Sequence, residues 1–372
     1  MMKFLHTSDL HIGKKLNEYP LIEDQKYILS QLLDIAKEEE ADAIVIAGDI
    51  YDKSLPAAEA VPVLDELISR FAEEEISVLM ISGNHDSPER LEYGSRLMDK
   101  SGVYIAGAYD GTVKMREIKG VEFYLLPFLR PSLVRKYYPE AKIENTEDAV
   151  RTALENIFPS KKSVIVSHQT VIVPGNELVR CESESVNIGG SDAVRYNIYD
   201  KFDYAALGHI HSPQSVGRET VRYSGTPLKY SKSEAMNIKT VSVVEITDRG
   251  VSIAERELKP LRDLRIIRGE IDELLKKEVY SEGDTDDYIY AVLTDDIQDL
   301  NYMSRIQHIY PNCIGVEADN RRSAYDNDID TAQEDKTPFE LFEEFFKMQN
   351  NREMTDEEKN LITEFIKEAL EE

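Results

Sequence analysis

The sequence predicts a layered α/β fold, and three observations carry that prediction. Short β-rich runs alternate with amphipathic helical stretches through the first half. Each run is followed at once by a loop holding polar or glycine residues. After Gly208 the texture changes to shorter strand-like pieces separated by turns.

Lys3–Thr7, Ala43–Ala47, Val78–Ile81, Glu122–Leu126, Ser163–Ser167 and Tyr204–Leu207 read as strands. The loops behind them are SDLHIG, GDIYD, GNHD, LPFLRP, HQT and GHIH. Ligands gather at the carboxyl ends of strands in α/β sheets, so the recurrence itself marks a site. Helices are expected at Glu23–Glu40 and Ala57–Glu75. Val221–Ser224 and Thr240–Ile246 read as strands that complete a second sheet packed on the first. Beyond Lys259-Pro260 a new βα-like unit begins: strand Leu264–Arg268, helix near Ile271–Lys277, acidic turn GDTDD, strand Tyr288–Leu293, and helix near Asp299–Ile309. The expected organisation is a main domain over 1–261, a small α+β domain over 262–322, an acidic linker over 323–336 and a helical segment over 337–372.

That last segment carries two helix-start signals, Thr337-Pro338-Phe339-Glu340 and Thr355-Asp356-Glu357-Glu358, each fitting a capping box. Its apolar residues are spaced for one face per helix. Such faces either pack on their own protein or dock a partner helix or coiled coil.

With 372 residues, 41% hydrophobic and 31% charged, the chain supports a sizeable core and is not globally disordered. No stretch approaches the roughly 18 apolar residues of a membrane span, and the start lacks a signal peptide's long apolar run. No membrane association and a cytoplasmic location are expected. Cys181 and Cys313 stand far apart in no CxxC pair, so a metal would use nitrogen and oxygen ligands. The formal charge is −27, from 44 basic and 71 acidic residues, which argues against a generic polyanion-binding surface. From Glu317 onward eighteen acidic against seven basic residues supply −11 of it.

Five of the seven histidines, His11, His85, His168, His209 and His211, fall in loops just after predicted strands. Asp9 and His11 flank Leu10, so at a strand end both side chains project the same way. Asp49 ends the apolar run AIVIA, where a carboxylate costs desolvation unless it meets a cation or donors. Asp52 suits a cap or a supporting position. Asn84 offers a carbonyl oxygen to a hard ion, His85 an imidazole near a scissile phosphate, and Asp86 is expected to orient His85. His209 and His211 repeat the alternate spacing, and His168 follows the strand VIVS as the remaining ligand. His6, inside the first strand, and His308, on a late helix, read as structural.

The order D-x-H, GDxxD, GNHD, a lone H, then GHxH resembles the calcineurin-like metallophosphoesterase superfamily from Lys3 to about Ile246. The strings ALGHIHSPQ, RYSGTPLKYSKSEA and PFELFEEF are similar to its SbcD family, the nuclease subunits of bacterial SbcC-SbcD complexes. The resemblance implies a four-layer αββα metallophosphoesterase sandwich with a small α+β capping domain and C-terminal partner-binding helices. It implies two divalent metal ions, usually Mn2+. Asp9, His11, Asp49 and His211 would take the first, Asp49, Asn84, His168 and His209 the second, and His85 would be catalytic. It further implies an ATP-dependent double-strand 3'-5' exonuclease and single-strand, hairpin-opening endonuclease acting in DNA repair, recombination and replication. The partner would be an SbcC-like coiled-coil ATPase bound through 337–372, in a heterotetramer containing a homodimer of this chain. No Gly-x-x-x-x-Gly-Lys-Ser/Thr loop occurs, so ATP binding would belong to the partner. The alternative is a stand-alone small-molecule or cyclic-nucleotide phosphodiesterase, since the metal site alone does not choose the substrate. For DNA, Lys14, Lys15, Arg130, Arg135, Arg218, Arg222, Arg262, Arg265 and Arg268 are the candidate contacts.

Overall fold

The protein is seen in a computed structural model that describes residues 1–184, 192–295 and 301–319. Of the C-terminal stretch it describes 339, 340, 342, 343, 346, 347, 352–355, 358, 359, 361–363, 365 and 366. Contacts divide the chain into two units. The first is Met1–Ile266 with Gly283–Tyr290 and Tyr310–Ile314; the second is Ile267–Glu282 with Ala291–Ile309 and Gly315–Glu372.

Two six-stranded sheets build the first unit. In chain order their strands are β1 (Met2–Thr7), β2 (Ala43–Ala47), β3 (Ser77–Ile81), β4 (Val103–Ala106), β5 (Lys114–Ile118), β6 (Val121–Leu126), β7 (Lys162–His168), β8 (Tyr204–Gly208), β9 (Gln214–Val216), β10 (Arg218–Tyr223), β11 (Thr240–Thr247) and β12 (Gly250–Glu257). One sheet runs β12-β11-β1-β2-β3-β4 and the other β9-β10-β8-β7-β6-β5. The central strands β1 to β4, and β6, β7, β8 and β10, pair in parallel. Val221–Ser224 was expected to share a sheet with Thr240–Ile246. Instead β11 joins the first sheet, antiparallel to β1 and followed by the edge strand β12, because its alternate residues Val244 and Ile246 complete the face that already carries Met2 and Phe4.

Side chains alternate across a strand, and here both faces are covered, which is why these runs are continuously apolar. Phe4, Val45, Leu79 and Ile81 face Phe123, Val164, Val166 and Tyr204 in a core between the sheets. Ile44, Ile46, Val78 and Met80 point the other way, against α1 (Ile22–Glu38) and α2 (Val61–Glu73). Tyr124, Leu126, Ile165 and Leu207 likewise face outward, against the helix Thr146–Leu154. Helix, sheet, sheet and helix stack in four layers. α1 buries Ile28, Leu29, Leu32, Leu33 and Ala36 at helical spacing, with Glu23 and Asp24 in its first turn and Lys37 in its last. α2 starts four residues later than expected, at Val61, because Pro62 favours the first turn while Ala57–Ala60 is tied in a turn of its own.

Phe123 is fully buried between the sheets, edge-on to Phe4 with ring centroids 5.3 Å apart. Phe123→Ala is expected to cost about 3–5 kcal/mol of stability, measured by denaturant unfolding. A loss below about 1 kcal/mol would show that this layer does not hold the sheets together.

Strands Leu264–Gly269, Tyr288–Leu293 and Cys313–Ala318 form a three-stranded sheet in that order. In the second unit the expected helices are shorter: Ile271–Leu274, Lys277–Tyr280 and Tyr302–Gln307. The proposed linker 323–336 lies outside the described residues, as does Thr337 of the first capping box. The second capping box forms: Thr355 Oγ1 accepts from Glu358 N at 3.3 Å and Glu358 Oε2 accepts from Thr355 N at 2.8 Å. Leu361 and Phe365 in the following helical residues are 54% and 58% exposed. Among the described residues no helix is long and apolar enough to cross a membrane.

Candidate metal centre

Five parallel strands end at one place, three from the first sheet and two from the second. β1 delivers Asp9 and His11, β2 Asp49, β3 Asn84 and His85, β7 His168, and β8 His209 and His211. Asp9, His11, Asp49 and His209 all hold a positive φ, of 53°, 44°, 49° and 100°. Non-glycine residues rarely adopt that region, and four together at strand ends mark a place where the backbone is bent to aim side chains. The glycines of the motifs have steric reasons. A Cβ on Gly83 would come within 2.1 Å of Asp49 Oδ1, and one on Gly208 within 2.0 Å of the Ala47 carbonyl.

The two sheets are pinned to each other around this place. His209 N–H donates to both Asp9 carboxylate oxygens, at 3.1 and 3.0 Å. The His168 Nδ1–H donates to the Ala47 carbonyl at 2.7 Å, which turns Nε2 inward, where it can ligate once its proton is lost. His6, buried and held neutral by burial that pushes it down to about 3, bridges the Tyr204 hydroxyl and the Leu207 carbonyl. It is structural, as expected, and His308 sits exposed at the end of its helix.

Around Asp49 the acceptors converge in two groups. His168 Nε2 lies 3.3 Å from Asp49 Oδ2 and 3.1 Å from Asn84 Oδ1, and His209 Nδ1 lies 2.9 Å from the same Asn84 oxygen. On the other side His11 Nε2 is 3.3 Å from His211 Nε2 and 3.8 Å from Asp49 Oδ2. Asp9, His11 and His211 form one set of grouped ligand atoms, and Asp9, Asp49 and His168 another. The side chains of Asp9, His11, Asp49 and His168 are at most 3% exposed, whereas that of His85 is 25% exposed. The mouth of the site is therefore at His85.

The charge states fit cation binding. Burial pushes His11 and His209 down to about 3, and burial with the nearby His11 holds His211 well below its ordinary value. These rings are neutral and offer lone pairs. Burial works to raise Asp49, but His168, His11 and His85 around it win and keep it well below the usual carboxylate range. Buried carboxylates, neutral imidazoles and an amide oxygen face one another with few donors between them, a donor set suited to hard or borderline divalent cations.

Two groups carry protons that a cation must displace. Burial, reinforced by Asp49, raises Asp9 to about 7. Burial favours the neutral form of His168, yet the charge and hydrogen bond of Asp49 outweigh it and raise the ring to about 9. Protonated forms dominate below these values, so divalent-metal affinity should rise with pH between 6 and 9. Calorimetric titration with Mn2+ in buffers of different ionisation enthalpy should show roughly one to two protons released at pH 7. An affinity independent of pH over that range would contradict this account.

Supporting contacts differ from expectation at Asp86. Its carboxylate does not touch His85; it accepts from Ile50, Tyr51 and Gly83 N–H at 3.0, 2.9 and 2.9 Å and so braces the loop behind Asp49. His85 is oriented instead by the Asp52 carbonyl, which accepts its Nδ1–H at 2.8 Å, and by its own N–H on Asp49 Oδ1 at 2.9 Å. The Asp52 carboxylate pairs with Lys14 at 2.9 Å and lies 3.7 Å from His11 Nδ1. Gln25 and Tyr230 hold the His11 loop by bonding the Leu10 and His11 carbonyls. Neither was legible as a site residue, because each reaches the loop from a distant helix or turn.

The suggested DNA contacts are mostly committed elsewhere. Arg218 donates to the carbonyls of Asp203, Tyr199 and Phe202, and Arg222, Arg262, Arg265 and Arg268 pair with Glu255, Asp24, Asp287 and Asp319. Arg130 is exposed and lies over the Phe128 ring, whose centroid is 6.3 Å from that of His168. Arg180, also exposed, acts electrostatically on His209 and Glu184, and no motif pointed to it.

With this geometry in place, comparison with known proteins gives the class. The calcineurin-like phosphoesterase family matches residues 2–213, more than half of the chain, and the chain belongs to that family of phosphoester hydrolases. Residues 260–350 match the type 5 capsule protein repressor C-terminal domain, SbcD_C. The two domains together are consistent with an SbcD nuclease subunit, the resemblance read from the motifs. Among solved structures, phosphopantetheinyl hydrolase from Mycobacterium tuberculosis is 16% identical over 60% of this chain and 90% of its own, with a TM-score of 0.36. A dimetal phosphatase from Danio rerio is 11% identical over 69% of this chain and 96% of its own, with a TM-score of 0.42.

Proposed function

We propose that the chain is the nuclease subunit of an SbcD-type complex, hydrolysing DNA phosphodiester bonds at two divalent cations, with Mn2+ the expected activator. The carrying observation is the convergence of six ligand-type side chains from two sheets around Asp49, partly open to solvent at His85. Asp9, His11, Asp49 and His211 would hold one cation, and Asp49, Asn84, His168 and His209 the other. Bound there, the cations supply Lewis acidity toward water and the phosphoryl oxygens. Asp49 fixes the separation of the two groups, since each carries one of its close contacts. His85 holds its Nδ1–H on the Asp52 carbonyl, so Nε2 is the ring atom that would pass a proton to a departing oxygen. Arg130 and Arg180 stand where an anionic backbone would approach.

In this reading 1–261 is the nuclease domain, 262–322 a capping domain, 323–336 a linker and 337–372 a docking segment for an SbcC-like coiled-coil ATPase. The match at 260–350 and the exposure of Leu361 and Phe365 support it. The complex would be a heterotetramer with a homodimer of this chain, acting as an ATP-dependent 3'-5' exonuclease and a hairpin-opening endonuclease. Because the formal charge is −27 and most candidate cations are paired, the partner is expected to supply much of the phosphate contact.

The test uses purified chain with Mn2+, a chromogenic phosphodiester and end-labelled duplex DNA, each with and without the ATPase and ATP. Diester hydrolysis by the chain alone, with DNA cleavage appearing or rising sharply on adding partner and ATP, is the expected result. Diester hydrolysis with no DNA cleavage under any condition would replace this reading with a small-molecule phosphodiesterase. Deleting residues 337–372 should abolish co-purification with the ATPase and spare diester hydrolysis; retained association would place the docking surface elsewhere.

A further inference from the structure

We infer that Ser183 is a positioning residue for His211, relaying the buried Glu234 carboxylate to the imidazole and fixing which ring nitrogen faces the metal centre. The inference rests on the reading of Asp9, His11, Asp49 and His211 as a cation site. Ser183 Oγ lies 2.7 Å from His211 Nδ1 and 2.6 Å from Glu234 Oε1. Glu234 is fully buried, with Lys239 Nζ 2.6 Å from Oε2, and Lys239 helps hold it below the usual carboxylate range against its burial. An ionised carboxylate only accepts, so the Ser183 hydroxyl proton points to Glu234. The hydroxyl then has only lone pairs for His211, and Nδ1 must carry the ring proton. Nε2 is left as a lone pair, directed at His11 Nε2 3.3 Å away.

The surrounding contacts hold this arrangement in register. Glu184, next to Ser183, accepts from His211 N–H at 2.9 Å and from Cys181 N–H at 3.0 Å. Glu234 Oε1 also accepts from Tyr230 N–H at 3.2 Å and from the Ser231 hydroxyl at 2.8 Å, so its orientation does not depend on Ser183. Ligating imidazoles usually donate their second N–H to a carboxylate or carbonyl, as His168 does to Ala47. At His211 a serine hydroxyl stands between ring and carboxylate. Ser183→Ala removes the relay without leaving Lys239 unpaired, which a change at Glu234 would do.

The experiment titrates full-length wild type, Ser183→Ala and Ser183→Thr with Mn2+ by calorimetry, and reads the His211 tautomer by 15N-resolved NMR of the metal-free proteins. Wild type should bind two ions and show Nδ1–H at His211. Ser183→Ala should weaken one site by about 10–100-fold, leave the other unchanged and populate both tautomers. Ser183→Thr, which keeps the hydroxyl, should restore both readouts. Wild-type affinity and tautomer in Ser183→Ala would overturn the relay, and so would equal weakening of both sites with a lowered melting temperature. Wild type that binds no ion, with Nδ1–H still fixed, would instead overturn the metal reading on which the relay depends.

Discussion

His85→Ala is expected to lower phosphodiester hydrolysis by about 10^2–10^4-fold while the protein still takes up two cations. The geometry separates these effects. The His85 ring is 25% exposed, and its Nε2 is 4.0 Å from Asp49 Oδ2, outside the short contacts that join His168, His209 and Asn84. The bond that ties this loop to Asp49 comes from the His85 main-chain N–H, so it survives truncation of the side chain. What alanine removes is the ring nitrogen that, in the proposed mechanism, would pass a proton to the departing oxygen. Metal content by elemental analysis, beside the rate on a chromogenic diester, checks both halves. Equal loss of metal and activity would make His85 a ligand instead.

Asp49→Ala should remove metal from both sites and take hydrolysis to background. Asp49 Oδ2 lies 3.3 Å from His168 Nε2 and 3.8 Å from His11 Nε2, one in each acceptor group, while Oδ1 holds the His85 main chain. Asp9 also stands near both groups, its Oδ1 3.9 Å from His168 Nε2, but its carboxylate is already held by His209 N–H and by the Ser8 hydroxyl. Without Asp49, His168 loses the charge that raises it, and the remaining residues lose the anion that would offset the charge of two bound cations. Asp49→Asn keeps the volume and an acceptor for His85 N–H, so it tests charge apart from shape. Retention of one full equivalent of metal in Asp49→Ala would show that the two groups are independent.

The residues that converge here were legible because their placement is local. A carboxylate or imidazole at or just past the end of a buried parallel strand has no packing role, and Asp9, Asp49, His85 and His168 all occupy such positions. The alternate spacing of His209 and His211 reads from the sequence in the same way. The supporting residues were not legible, since Gln25, Tyr230 and Glu234 sit on a helix and turns whose proximity exists only after the sheets pack. Glu234 lies in the string SGTPLKYSKSEA, where an acid among polar residues looks like surface; its burial depends on Lys239. Asp86 misled for a related reason, because adjacency to His85 in sequence says nothing about which backbone N–H groups fold onto its carboxylate.

The layered architecture read well where both faces of a strand are covered, as in AIVIA and KSVIVSH. It read poorly for β5 and β12, which alternate half-buried and exposed residues in KMREI and GVSIAERE and lie at the sheet edges. Edge strands keep charged residues that central strands exclude, so their pattern resembles a turn-rich segment. The small domain's helices came out shorter than expected because propensity alone does not place their ends.

The most direct test of the central claim is anomalous diffraction from crystals of the full chain soaked in Mn2+. Two peaks are expected roughly 3.5–4 Å apart, one on either side of Asp49, the first beside His11 and His211 and the second beside Asn84, His168 and His209. A single peak, or peaks away from Asp49, would contradict the binuclear account.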